Sequence, residues 1–368
     1  MRLLYAILTA LFVLGFHAQS SAQVTVEDEI RIDTELIEVP VSVFDKAGRP
    51  VAGLKASDFT VFEDGVQQKI ISFSMISEPI EVALILDSSG STKSTLPLIQ
   101  KAAEGFITML RPEDRAAIIG FRPSRRPGEE NAVGEILSGL STDKTALISS
   151  LQRLETSFGT PFYDSILLAV NRVFADSAKP EFLGRRAIVM LTDGVDSVSE
   201  SDFAAVRNAV QKAGVSLFFV RLDTRDFFES GLLGDCSVAT HFSQRQLSRY
   251  YSTLESQRAE RVTDFCRLGD FERLAISKRL YEIADNEMLT LSNESGGRVF
   301  KADDLTAART ALMEAAREAG LKYSLGYYSN STRRNGAYRK ITVRVRSLPA
   351  GASIRARDGY FAPSEKRN

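Results

Sequence analysis

The chain has 368 residues, of which 46 are basic and 47 acidic, giving a formal net charge of -1, and 44% are apolar or aromatic. That balance offers no basic footprint for nucleic acid, while the apolar share is enough for a sizeable core. The length exceeds one small domain and fits a medium α/β domain with a smaller module beside it.

Residues 1–22 read as a secretory signal peptide. Arg2 supplies the positive start, residues 3–16 are apolar, and Ser20, Ser21 and Ala22 are small enough for cleavage after Ala22. The apolar run is short against the roughly 20 residues that span a bilayer. The expectation is an exported protein, secreted or periplasmic, with no transmembrane segment once the signal is removed. Two cysteines, Cys236 and Cys266, remain in that oxidising setting. A disulfide between them closes a loop of about 30 residues, worth about 3 kcal/mol in the chain-entropy model, with two free buried thiols as the alternative.

Residues 23–80 read as an N-terminal β module. A polar arm leads to a strand over 35–46, in which Val39, Val41 and Val43 share a face and Pro40 points to a sheet edge or strand start. Further strands follow at 58–62 and 68–74, separated by the Asp64-Gly65 pair typical of hairpins. So small a module needs something to pack on.

From Glu81 the rhythm changes to strand, helix, strand, as in a doubly wound α/β fold with a mostly parallel sheet and helices on both faces. Residues 82–86 form an apolar run suited to a buried parallel strand. Leu96, Ile99, Ala103, Phe106 and Leu110 then recur at helical spacing. Strands are expected at 115–121, 186–191 and 215–220, with helices at 146–154, 163–174 and 202–212. Residues 122–142 read as a variable loop holding a short edge strand or hairpin. Arg122, Arg125 and Arg126 there, among Pro123, Pro127 and Gly128, read as solvated. Residues 224–270 break the pattern and read as an insertion with helix around 246–265. Helical spacing returns over 274–291, followed by a strand at 298–300, a helix at 305–319 and a strand at 323–328. The segment 326–368 reads as C-terminal β strands that meet the N-terminal module in a shared antiparallel sheet or sandwich.

Three loops at the carboxyl edge of this sheet carry the chemistry. The first holds Asp87, Ser89 and Ser91, spaced two apart; the second holds Thr160 before a helix; the third holds Asp193 at a strand end, followed by Gly194. In open α/β sheets such loops hold ligands. Two carboxylates and three hydroxyls supply most of an octahedral shell for one hard cation, Mg²⁺, with Mn²⁺ or Ca²⁺ as alternatives, and water or a partner carboxylate completes it. The bland reading is a serine-rich turn with helix caps. Asp196 reads as a supporting or solvent-facing residue, and Asp164 as solvated.

The residues Asp87-x-Ser89-x-Ser91, then Thr160 within Phe158-Gly159-Thr160-Pro161, then Asp193 within Leu191-Thr192-Asp193-Gly194, resemble the metal-ion-dependent adhesion site of von Willebrand factor type A domains. The resemblance covers residues 81–325, interrupted by the 224–270 insertion. It implies that the hydroxyls of Ser89, Ser91 and Thr160 bind the ion directly and that Asp87 and Asp193 often act through water. The flanks, Asp58-Phe59-Thr60-Val61-Phe62-Glu63-Asp64-Gly65 and Arg357-Asp358-Gly359-Tyr360-Phe361-Ala362-Pro363, resemble a bacterial subgroup of secreted proteins that enclose this domain between two β segments. The implied function is metal-dependent binding of a protein or other extracellular ligand that presents Asp or Glu. The alternatives are a non-catalytic scaffold of an envelope assembly or a Mg²⁺-dependent hydrolase. Catalysis is not expected, because His241 is the only histidine left after the signal and no Gly-x-Ser-x-Gly elbow or phosphate loop occurs.

Overall fold

Apolar side chains on both faces of a short segment require cover on both sides, and residues 81–86 set the centre of the fold for that reason. The structure is a computed structural model that describes residues 36–46, 51, 53–76, 79–89, 96–124, 132–175, 186–254, 264–320, 322–346, 348 and 350–364. All of these lie in the compact unit Glu35–Asn368. The expected signal segment 1–22, the arm 23–34 and Ser91 fall outside the described residues.

Four strands come first: β1 (Leu36–Phe44), β2 (Phe59–Glu63), β3 (Val66–Gln68) and β4 (Ile70–Ile76). The α/β part follows with β5 (Glu81–Leu86), α1 (Leu96–Met109), β6 (Arg115–Pro123), β7 (Ala132–Ser141), α2 (Lys144–Ser150), α3 (Phe162–Leu168), β8 (Arg186–Thr192), α4 (Phe203–Ala213) and β9 (Ser216–Leu222). Next are α5 (Arg225–Leu232), α6 (Gln244–Ser252), α7 (Asp270–Ser295), β10 (Arg298–Ala302) and α8 (Leu305–Ala319). The chain closes with β11 (Lys322–Tyr328), β12 (Tyr338–Val345), β13 (Ser353–Ala356) and β14 (Gly359–Phe361).

The central sheet has six strands in the order β10-β9-β8-β5-β6-β7. The pairs among β10, β9, β8, β5 and β6 are parallel, and β7 is antiparallel on the β6 edge. Alternation along β5 divides its burial. Val82, Leu84 and Leu86 pack under α1 and α8, whereas Ala83 and Ile85 pack under α3, α4 and α7. The helices start and stop by ordinary chemistry. Asp202 caps α4 through the Ala205 N–H at 2.8 Å, and Asp304 caps α8 through the Ala307 N–H at 2.7 Å. At the amino edge of the sheet the buried carboxylate of Glu81 takes Arg115 at 2.7 Å and Arg186 at 3.3 Å.

The two ends of the chain interleave in two antiparallel four-stranded sheets, β13-β1-β11-β4 and β14-β12-β2-β3. They share one core, in which Val39, Val41, Phe59, Val61, Leu325 and Ile341 take part, so the flanks form a sandwich rather than one shared sheet. Pro40 lies in a strand with neighbours on both sides, yet β13 covers only Val41–Phe44, so the Pro40 half of β1 is uncovered there. Between β2 and β3, Asp64 (φ 47°) and Gly65 (φ 82°) both adopt positive φ, the geometry of a two-residue hairpin turn.

Several expectations differ from the structure. The strand at 322–328 joins the flank sheet, pairing with β1 and β4, and takes no part in the parallel sheet. Residues 132–141 form a long edge strand where a variable loop holding a short edge strand or hairpin was expected. The helix at 162–168 runs on as a π segment over Ala169–Val173, and α7 extends over 26 residues, well beyond 274–291 at both ends. Among the described residues no helix is long and apolar enough to cross a membrane.

Candidate metal centre

Parallel pairing brings the carboxyl ends of β5, β8 and β9 together. The ladder between β5 and β8 ends with the Asp87 N–H donating to the Leu191 carbonyl at 2.9 Å, which fixes Asp87 where the strand gives way to the loop. One Asp87 oxygen, Oδ1, accepts the Ser89 N–H at 3.0 Å; the other, Oδ2, accepts the Thr192 hydroxyl at 2.7 Å. The Gly194 N–H in turn donates to Thr192 Oγ1 at 2.9 Å. Asp193 is held in the same way: Oδ1 accepts the Val195 N–H at 3.0 Å, and Oδ2 accepts the hydroxyl of Thr224.

The three loops are stitched to one another. Ser89 and Ser157 form a parallel bridge, and the Ser157 N–H donates to the Ser88 carbonyl at 3.0 Å, joining the Asp87 loop to the Thr160 loop. Thr160 is bonded twice to Ser197: its N–H donates to the side-chain Oγ of Ser197 at 2.8 Å, and its carbonyl accepts the Ser197 N–H at 3.1 Å. This joins the Thr160 loop to the Asp193 loop. Glycines of positive φ shape the second and third loops. A Cβ on Gly159 (φ 106°) would lie 2.8 Å from Val198, and one on Gly194 (φ 80°) would lie 2.6 Å from Met288.

Asp87, Ser89 and Asp193 line one small cavity together with Thr192 and Thr224, closed on its apolar side by Ile99, Leu191 and Leu222. Its volume of about 10 Å³ admits a single water-sized particle. Thr160 is buried in the adjoining loop and is not part of that lining. Asp196 proves to be a buried support. Its Oδ1 accepts the Phe162 N–H at 3.1 Å and also bonds Ser199. Asp164, expected to be solvated, instead binds the Glu200 and Ser201 N–H groups at 2.7 and 3.0 Å. Thr192 and Thr224 were missed by sequence reasoning. Thr192 sits inside the tetrapeptide that carries Asp193, so position could have found it; nothing local points to Thr224.

Burial, and then the charge of Asp193, push the Asp87 carboxyl up to about 7, against the lowering effect of its bonds from Thr192 and Ser89. Burial likewise raises Asp193, against the bonds from Thr224 and the Val195 N–H and the charge of Arg221. Among the described residues, the cavity lining therefore gathers two carboxylates and hydroxyls and no basic side chain. Among the described residues no three His, Cys, Asp or Glu side chains gather into a metal-holding group. The donor chemistry that is present is all oxygen with excess negative charge, and it fits a hard divalent cation.

Residues 81–249 match the von Willebrand factor type A (VWA) domain. The match spans just under half of the chain, from β5 to within α6, and includes all three loops. The central sheet and its flanking helices have the VWA arrangement. Among solved structures, proximal thread matrix protein 1 from the mussel byssus is 12% identical, with a TM-score of 0.41. That alignment covers 70% of this chain and 51% of the mussel protein, so the chain spans about half the length of that relative. A von Willebrand factor type A protein from Catenulispora acidiphila is 12% identical over 91% of this chain and 76% of its own, with a TM-score of 0.40. The conserved hypothetical protein BatB from Bacteroides thetaiotaomicron is 14% identical over 65% of this chain and 98% of its own, with a TM-score of 0.38. Likeness at that level carries no functional argument. No curated protein matches the chain.

The segment after β9 forms its own small core beside the Asp193 loop. Leu232, Phe242, Leu247 and Phe265 pack with Ile276, Leu280 and Tyr281 of α7 and with Val195 next to the Asp193 loop. A disulfide joins Cys236 and Cys266, the pairing expected rather than two free thiols. His241 lies exposed at the surface of this core: its ring stacks on Phe265 at 4.3 Å, and Nε2 lies 2.7 Å from the Cys236 carbonyl oxygen.

Proposed function

We propose that this chain is an exported binding protein whose VWA domain holds one divalent cation, Mg²⁺ or Mn²⁺, and uses it to recognise a carboxylate on a partner protein or other extracellular ligand. Asp87, Ser89, Ser91, Thr160 and Asp193 would hold the ion. When bound, the cation supplies a coordination position for an Asp or Glu of the partner.

The observation that carries the reading is the shared cavity of Asp87 and Asp193. Each carboxylate spends one oxygen on the N–H two residues ahead and the other on a threonine hydroxyl, so both are fixed before any ion arrives. Their mutual repulsion and burial favour protonation or a cation, and the cavity has room for one small ion. Specificity for the partner would come from the rim, where Phe158 stands 76% exposed on the Thr160 loop and Phe227 62% exposed on α5. Binding is favoured over turnover because the polar groups of the cavity are committed to holding one another. The disulfide supports export to an oxidising compartment.

Calorimetric titration of Mg²⁺ and Mn²⁺ into metal-free mature protein, beside Asp87→Ala, tests the proposal. One site in the wild type and none in the folded variant is expected. A folded Asp87→Ala protein that binds the ion as tightly as the wild type would overturn it.

A further inference from the structure

We propose that Thr224 is a positioning residue of the cation site: its hydroxyl, delivered from outside the motif and backed by Tyr281, fixes the Asp193 carboxylate toward the cavity. This rests on the cation reading given above and deepens it, because it makes the segment after β9 part of the site.

The proton inventory sets the direction of the contacts. A carboxylate only accepts, so the hydroxyl proton of Thr224 goes to Asp193 Oδ2. The Tyr281 hydroxyl, 3.0 Å from Thr224 Oγ1, must then donate to Thr224. The result is a chain from Tyr281 to Thr224 to Asp193. It repeats the chain from the Gly194 N–H to Thr192 to Asp87 on the other carboxylate. Each cavity carboxylate thus has a threonine donor whose own oxygen is occupied by a second donor, and neither threonine can turn away without breaking two bonds.

A second observation shows that the Thr224 hydroxyl is diverted to this task. Thr224 occupies the N-cap position of α5, where a threonine hydroxyl ordinarily accepts from the first turn of its helix, yet it makes no such bond. The Arg225 N–H just inside the helix is held by Asp223 Oδ1 at 3.1 Å. Tyr281 is equally placed for the purpose. It lies on α7, 2% exposed within the core of the inserted segment, so the orientation of Asp193 depends on that segment being folded. Hydrogen bonds behind metal ligands commonly govern affinity by 10- to 100-fold.

The test uses full mature protein and Mg²⁺ alone. Thr224→Val, Thr224→Ser and Tyr281→Phe are titrated beside wild type and Asp87→Ala, with circular dichroism to verify folding. Thr224→Val is expected to weaken Mg²⁺ binding about 10- to 100-fold. Thr224→Ser, which keeps the hydroxyl, is expected to restore it, and Tyr281→Phe to fall between. Wild-type affinity in Thr224→Val, with the Asp87 dependence intact, would overturn the role of Thr224 and leave the cation reading standing. Equal weakening in Thr224→Ser would also overturn it, because packing rather than the hydroxyl would then be responsible. No binding by wild type would remove the cation reading and this role with it. Should Thr224→Val not fold, Tyr281→Phe decides: undiminished affinity there contradicts the chain of donors.

Discussion

Asp87 is 4% exposed and carries a carboxyl that accepts from Ser89 and Thr192 while facing the charge of Asp193. Its pKa, raised from 3.8 to about 7, sets the sign of a pH effect in the metal-free protein. Between those values the folded state retains a proton that the unfolded chain has released, so stability falls as pH rises through that window. Replacing the carboxyl by an amide removes the penalty. Asp87→Asn is therefore expected to gain on wild type by on the order of 2 kcal/mol between pH 5 and pH 8. Urea unfolding of both proteins at each pH, without metal, measures it; a difference that does not grow with pH would contradict the expectation. Asp87, Ser89 and Asp193 were legible because each stands in a short string at the end of an apolar run. Thr224 was not, since its contact with Asp193 spans 31 residues and leaves no local pattern.

At the scale of elements, runs of apolar residues were the readable signal. β5, β8 and β9 are buried along nearly their whole length, and each was legible as a strand. The full length of β7 was hidden because Gly134 and Gly139 interrupt it and because it pairs with β6 through register shifts that blur strict alternation. The first turns of α7 were hidden for a different reason. Arg273 is buried there, donating to the carbonyls of Leu268, Leu232 and Gly234, so a charge stands where the helical stripe calls for an apolar residue. The flanking strands meet at another buried charge. Glu63 of β2 accepts the hydroxyls of Tyr327 at 2.7 Å and Tyr360 at 2.9 Å and pairs with Arg339 at 3.1 Å. This one cluster ties the two β hallmarks of the sequence together through β2, β11, β12 and β14. Glu63→Ala would leave Arg339 buried without its partner, and a loss of about 3–5 kcal/mol is expected from denaturant unfolding. A loss under about 1 kcal/mol, the worth of a surface pair, would contradict that account.

In the whole molecule, the first and last strands fold into one sandwich while the stretch between them builds the α/β sheet. β1 lies between β13 and β11, and β2 pairs with β12, pairings that join residues hundreds of positions apart. Alternation in each flank was legible, but which strand meets which was not, because pairing across such separations is decided by the shared core. The strand at 322–328 shows the limit most clearly. Its inward Tyr323 and Tyr327 resemble any buried strand, and it is pairing with β1 and β4, with the bonds of the two hydroxyls to Val51 and Glu63, that assigns it to the flanks. The site depends on the same long-range assembly, since Asp87, Asp193 and Thr224 converge only when β5, β8 and β9 are paired.

The central claim is that one divalent cation sits between Asp87 and Asp193. Crystals of the mature protein grown with Mn²⁺ and measured at the manganese absorption edge test it directly. A single anomalous peak is predicted between the two carboxylates and beside Ser89, absent from crystals of Asp87→Ala. No peak there at high Mn²⁺, or one that persists without the Asp87 carboxylate, would contradict the account.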